Sequence, residues 1–108
     1  MVKMRLGIII SQTEPETVWN AYRLGTFALE QGDSVRIFLL GRGVESEVEH
    51  PKFNVKKQVA KYIEGGGEIY ACGSCMKSRQ MDSTDTCPLS TMKDLYKIVK
   101  NSDKVLTF

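Results

Sequence analysis

The sequence predicts a small doubly wound α/β domain of three layers, α/β/α, around a mainly parallel sheet of four or five strands, and three observations predict it. Short, nearly unbroken apolar runs have the length and composition of strands covered on both faces. Between them, apolar residues recur at three- and four-residue steps, the period of a helix. Strands that alternate with helices need crossovers, and right-handed crossovers make those strands parallel with helices on both faces.

The first run, Lys3 to Ile10, is read as a strand on the strength of Leu6-Gly7-Ile8-Ile9-Ile10. Thr13-Glu14-Pro15-Glu16 then has the form of a capping box, Thr13 taking the Glu16 N–H and Pro15 sitting in the first turn. The helix so started carries Val18, Ala21, Tyr22, Gly25, Ala28 and Leu29 as one apolar stripe and stops at Gly32. Beside that stripe stand Trp19, Arg23 and Phe27, which either pack at the core margin or form a subunit contact.

Ser34 to Leu40 is the second strand, and it runs into Gly41-Arg42-Gly43, a plain turn or a weak candidate for an anion cradle. The Val44 to Phe53 connection is polar, and its lone His50 reads as solvated loop. Asn54 caps a second helix with Val55, Val59, Tyr62 and Ile63 on its apolar face, ended by Gly65-Gly66-Gly67. A central strand then delivers Cys72 to the sheet edge. Gln80 to Leu89 is loop, with Asp82, Ser83, Thr84, Asp85, Thr86 and Pro88. Ser90 or Thr91 caps a third helix, its stripe Met92, Leu95, Tyr96 and Val99, and Asp103 to Phe108 is the last strand.

Composition sets the bounds. A chain of 108 residues, 42% hydrophobic, fits one domain spanning residues 1–108 with a core that needs no disulfide staples. Fifteen basic against thirteen acidic residues, interspersed, leave a charge of +2, too little to argue for a nucleic-acid surface. With no signal-peptide pattern at the N-terminus and no apolar run of membrane-spanning length, a cytoplasmic protein is expected. Its three cysteines then read as reactive thiols or ligands, not as a structural framework.

Chemistry concentrates in Cys72-Gly73-Ser74-Cys75-Met76-Lys77-Ser78-Arg79. Parallel strands gather Ser11-Gln12, Gly41-Arg42-Gly43 and Cys72 to Arg79 at the carboxyl edge, where they are expected to share one cleft. A thiol is a nucleophile only as thiolate, and a Cys leading into a turn with free N–H groups, near Lys77 and Arg79, is placed for a depressed pKa. Cys72 is therefore the candidate nucleophile, set against a buried Cys that merely ends a strand. Cys75 is a possible second thiol, and Cys87 in the polar loop reads as passive.

A strand ending in Cys, a turn of small residues and Arg79 seven positions after Cys72 resemble the DsrE/DsrF-like family, which includes TusD-type sulfur-relay subunits and YchN-like proteins. The Phe38 to Val44 stretch and the closing Lys104 to Phe108 are similar to that family's pattern too. The resemblance implies a cytoplasmic sulfur carrier, a possible sulfurtransferase, whose Cys72 accepts a sulfane sulfur as a persulfide and hands it on. It also implies sulfur donor and acceptor proteins as partners, assembly as an oligomer, and Cys72 and Arg79 as the matching site positions. Where the family often has Gly, this chain has Gln80, and Cys75 adds a thiol that many relay subunits lack.

Two other functions fit the cysteines. Cys72-Gly73-Ser74-Cys75 has the spacing of a dithiol-disulfide oxidoreductase, although no thioredoxin-like surroundings accompany it. Cys72, Cys75, Cys87 and His50 could form a zinc-binding interaction module, for which one C-x-x-C supplies only half a site. For the favoured reading no cofactor or metal is expected.

Overall fold

The computed structural model describes residues 3–82 and 89–108. Along the chain run β1 (Arg5–Ile10), α1 (Pro15–Glu30), β2 (Ser34–Leu39), a 3₁₀ turn (Gly41–Glu45), α2 (Val55–Glu64), β3 (Glu68–Cys72), α3 (Gly73–Ser78), β4 (Leu89–Ser90), α4 (Met92–Asn101) and β5 (Lys104–Thr107). The strands form one five-stranded sheet in the order β4-β3-β2-β1-β5, every neighbouring pair parallel. The chain steps outward from β1 to β4, and α4 then carries it back to β5 on the far side of β1. The expected α/β/α architecture is thus present, with five strands.

Alternation along the strands assigns the faces. Leu6, Ile8 and Ile10 of β1, Val35, Ile37 and Leu39 of β2, and Ile69 and Ala71 of β3 pack with Val18, Ala21 and Tyr22 of α1 and Val55, Val59 and Tyr62 of α2. Ile8, Ile10, Ile37, Val18 and Tyr62 have no exposed surface, and each large side chain so buried contributes roughly 1.5–3 kcal/mol. The opposite face carries a smaller cluster, Phe38, Cys72 and Ile98, with Leu40, Tyr70 and Leu95 packed against it. A one-residue slip in any strand would exchange these two sets. The register therefore fixes Cys72 on the α4 side.

Four sequence expectations are corrected. The α1 cap is Glu14, not Thr13: its carboxylate accepts from the N–H groups of Glu16 (3.0 Å) and Thr17 (2.9 Å) and from the Thr17 hydroxyl (2.8 Å). A carboxylate suits the positive end of a helix, and the longer Glu side chain reaches both N–H groups. The Cys72 to Arg79 stretch is not a plain turn, because residues Gly73–Ser78 close into α3.

The α4 stripe is rotated from the expected one. Thr91 caps this helix through a reciprocal box with Asp94, but Ile98, 3% exposed, is its buried residue, with Leu95 half-buried. Met92, Tyr96 and Val99 stand out at 56%, 63% and 45% exposure. As the only long helix on its side among the described residues, α4 meets the sheet along a narrow line through Ile98 and Leu95, which fill the space over Phe38 and Cys72. The fourth difference lies in the expected loop to Leu89, whose residues 83–88 are outside the described set: Leu89 and Ser90 pair with Ala71 and Cys72 as a two-residue edge strand.

Trp19 packs against the larger cluster and is covered by Phe53, ring centroids 5.2 Å apart, and by the Arg23 guanidinium 4.4 Å from its ring. It takes the core-margin alternative, whereas Phe27 remains 59% exposed. The expected helix cap at Asn54 is present, its side chain accepting from the Lys57 N–H at 3.0 Å.

Candidate functional site

Cys72 is at once the last residue of β3 and the N-cap of α3. Its side chain is 3% exposed and lies against Phe38 and Ile98, so the thiol is recessed, not displayed. The Ser74 hydroxyl lies 3.3 Å from Cys72 Sγ. Burial pushes the thiol's pKa up, but the Cys75 thiol, the Ser74 hydroxyl and the N–H groups of Cys75 and Ser74 all donate toward Sγ. Together they outweigh burial and hold the Cys72 pKa below its ordinary value. The expected depression is present, and it comes from hydrogen bonds within the Cys72 to Cys75 turn.

Cys75 faces inward between the two clusters and touches both. Its Sγ accepts the Gly41 N–H at 3.3 Å, which ties α3 to the 3₁₀ turn. Two glycines make that approach possible. Gly41 has a φ of +56°, the left-handed region, and a Cβ at Gly43 would run into the Ile10 carbonyl.

Arg79 does not reach toward the Cys72 sulfur. Its Nε pairs with Glu45 Oε2 at 3.3 Å, and its Nη1 donates to the Cys75 carbonyl at 3.1 Å and to Ser78 Oγ at 3.3 Å. It clamps the far end of α3 onto the 3₁₀ turn. Of the expected shared cleft, then, Gly41 to Gly43 and the Cys75 to Arg79 half do meet, but they do so away from the Cys72 opening.

That opening is a cleft of about 350 Å³ lined by Cys72, Gly73, Ser74, Lys77 and residues Leu89, Ser90, Thr91 and Met92. No residue of Ser11-Gln12 or Gly41-Arg42-Gly43 lines it. The cleft wall formed by β4 and the start of α4 escaped the sequence reading, because a two-residue strand has no period to detect. The Ser74 role, by contrast, was detectable: a hydroxyl two residues after a thiol at a strand end is within reach of it.

His50 lies in the polar connection, where its Nδ1 accepts the N–H groups of Lys52 (3.1 Å) and Phe53 (3.2 Å) and its ring stands 5.3 Å from that of Phe53. Among the described residues no three His, Cys, Asp or Glu side chains gather as a metal site, and Cys87 lies outside those residues. No helix among the described residues is long and apolar enough to cross a membrane.

These features define an α/β protein built around a recessed, hydrogen-bonded cysteine at the carboxyl end of an interior strand. The chain belongs to the DsrE/DsrF-like family, whose pattern it matches over residues 4–108. It is 35% identical to an uncharacterized protein of Methanopyrus kandleri, across 95% of this chain and 93% of that one. To an uncharacterized protein of Methanocaldococcus jannaschii it is 34% identical, across 97% of this chain and all of the relative. Its fold is similar to that of the YchN protein of E. coli, with a TM-score of 0.79 at 23% identity over 97% of this chain and 100% of the other.

Proposed function

We propose that the protein is a cytosolic sulfur carrier that holds a sulfane sulfur on Cys72. The observation that carries the reading is the Cys72 thiol itself, biased toward thiolate by its turn and opening onto a cleft of about 350 Å³. In loading, the Cys72 thiolate attacks the outer sulfur of a donor persulfide. A new S–S bond forms at Cys72 as the donor's S–S bond breaks, and the donor leaves as a thiolate. In delivery, an acceptor thiolate attacks that outer sulfur and Cys72 departs as the thiolate. Both steps move sulfur without net oxidation, so neither needs a cofactor. The hydrogen bonds that favour the Cys72 thiolate also make it a good leaving group.

Donor and acceptor proteins are the partners this chemistry needs, and Leu89 and Met92 on the cleft rim, 42% and 56% exposed, offer them an apolar margin. Arg79 then acts as a positioning residue that holds α3 through Glu45. Intact mass after incubation with a persulfide donor tests the reading. A gain of one sulfur, removed by reductant and absent in Cys72→Ser, is expected; loading of the serine variant to the wild-type level would overturn it.

A dithiol-disulfide oxidoreductase is the second reading. It is favoured by the hydrogen bond from the Cys75 thiol to Cys72 and by the position of Cys72 at the head of α3. A mass loss of two hydrogens on mild oxidation, with no sulfur gain from a persulfide donor, would select it.

A further inference from the structure

On the opposite side of the sheet from Cys72 lies a second cavity, of about 120 Å³, that the thiol chemistry does not use. Its walls are apolar, formed chiefly by Leu39 of β2, Val59 of α2, Ile69 of β3 and Met76 of α3. Ser46 also lines it. That residue is 1% exposed, and its hydroxyl has no hydrogen-bond partner. An unpaired buried hydroxyl costs roughly as much as a lost hydrogen bond, so such groups are rare and usually meet a partner that is not protein. Glu47 and Asp82, both exposed, stand on the same cavity and put negative charge at its solvent side.

From these observations we infer that the cavity binds a small, neutral, mainly apolar molecule with one hydrogen-bond acceptor, which receives the Ser46 hydroxyl. The volume sets the size: an apolar protein cavity of about 150 Å³ accommodates one benzene ring, so for this somewhat smaller one a single small ring or a short branched chain is the upper limit. Apolar walls with no cation among the described lining residues reject a buried charge, and the two carboxylates repel anions at the entrance. One polar group among apolar walls is the ordinary composition of a small-molecule site.

Phenol is the probe, titrated against protein with its methionine methyl groups labelled with carbon-13. Saturable shifts of the Met76 and Met81 methyl signals are expected, because both residues line the cavity, while Met92 on exposed α4 should not move. Ser46→Ala should weaken phenol roughly 2- to 10-fold, the worth of one neutral hydrogen bond, and leave toluene unchanged. Shifts that do not saturate, shifts as large at Met92, or an ordered water on Ser46 that phenol does not displace would each overturn the inference. Should Ser46→Ala fail to fold, the wild-type methyl shifts still decide. Cys72→Ser should bind phenol unchanged, so this test stands or falls apart from the sulfur-carrier reading.

Discussion

At the scale of single residues, the Cys72 sulfur is governed by its own turn. Because the donors in that turn lower its pKa, thiolate persists on the acid side of the ordinary thiol range and is lost only as pH falls through the depressed value. The pH profile of iodoacetamide alkylation at Cys72 should therefore have its midpoint below that of a free cysteine. Ser74→Ala removes the hydroxyl 3.3 Å from Sγ and should move the midpoint to higher pH; an unmoved midpoint would leave the backbone N–H groups and Cys75 as the whole cause. Gln80 makes a separate point. Its φ of +54° places it in the left-handed region that Gly occupies without strain. Gln80→Gly should raise stability in urea by about 1 kcal/mol, with no change in sulfur loading, and a loss of stability would show that the Gln side chain matters more than its backbone.

At the scale of elements, α3 is held at both ends, by β3 through Cys72 and by the 3₁₀ turn through Arg79, Glu45 and Gly41. The Arg79–Glu45 pair is partly exposed, at 28% and 49%, so its direct worth is at most about 1 kcal/mol. Arg79→Ala also removes the bonds to the Cys75 carbonyl and Ser78, so it should lower stability by about 1–2 kcal/mol and slow sulfur loading without abolishing it; complete loss would mean that Arg79 contacts the donor. In α4, Ile98→Ala should cost about 2–5 kcal/mol because it empties the cluster over Phe38. Long, strongly patterned elements buried along a broad face are what a sequence shows well: β1, α1, α2 and their stripes stand where the periodicity puts them. Short or rotated features are not, since α3 and β4 span too few residues to display a period and the α4 stripe depends on how wide a sheet surface lies beneath it. The thiol positions were legible for the same reason that Arg79's orientation was not. A strand end is a local property, whereas the choice between Cys72 and Glu45 as a neighbour depends on a segment more than thirty residues away.

For the whole molecule, the sheet is covered unequally. Among the described residues two long helices lie on one face, and α4 alone lies along the other with Met92, Tyr96 and Val99 turned outward. Of the expected oligomer contact through Trp19 and Phe27, the Trp19 ring is already covered by Phe53 and Arg23, while Phe27 stays exposed. We propose that the protein is a homo-oligomer joined through α4. Light scattering at micromolar concentration should give a multiple of the chain mass, and Met92→Lys with Tyr96→Lys should reduce it while leaving the circular dichroism spectrum intact. A monomer would remove the proposal, and an oligomer indifferent to both changes would move the contact to Phe27.

The depth of Cys72 bears on which sulfur an incoming nucleophile can strike. A persulfide adds one atom about 2 Å beyond the cysteine sulfur. Cys72 is only 3% exposed, packs with Phe38 and Ile98 and lines the cleft, so on the proposed reading that atom would project into the cleft while the inner sulfur stays covered. Attack at the outer atom passes the cargo on; attack at the inner one would expel it as sulfide and leave a mixed disulfide. On the proposed sulfur-carrier reading, burial of this thiol would therefore give the transfer its regioselectivity, by geometric shielding and without any group devoted to the purpose.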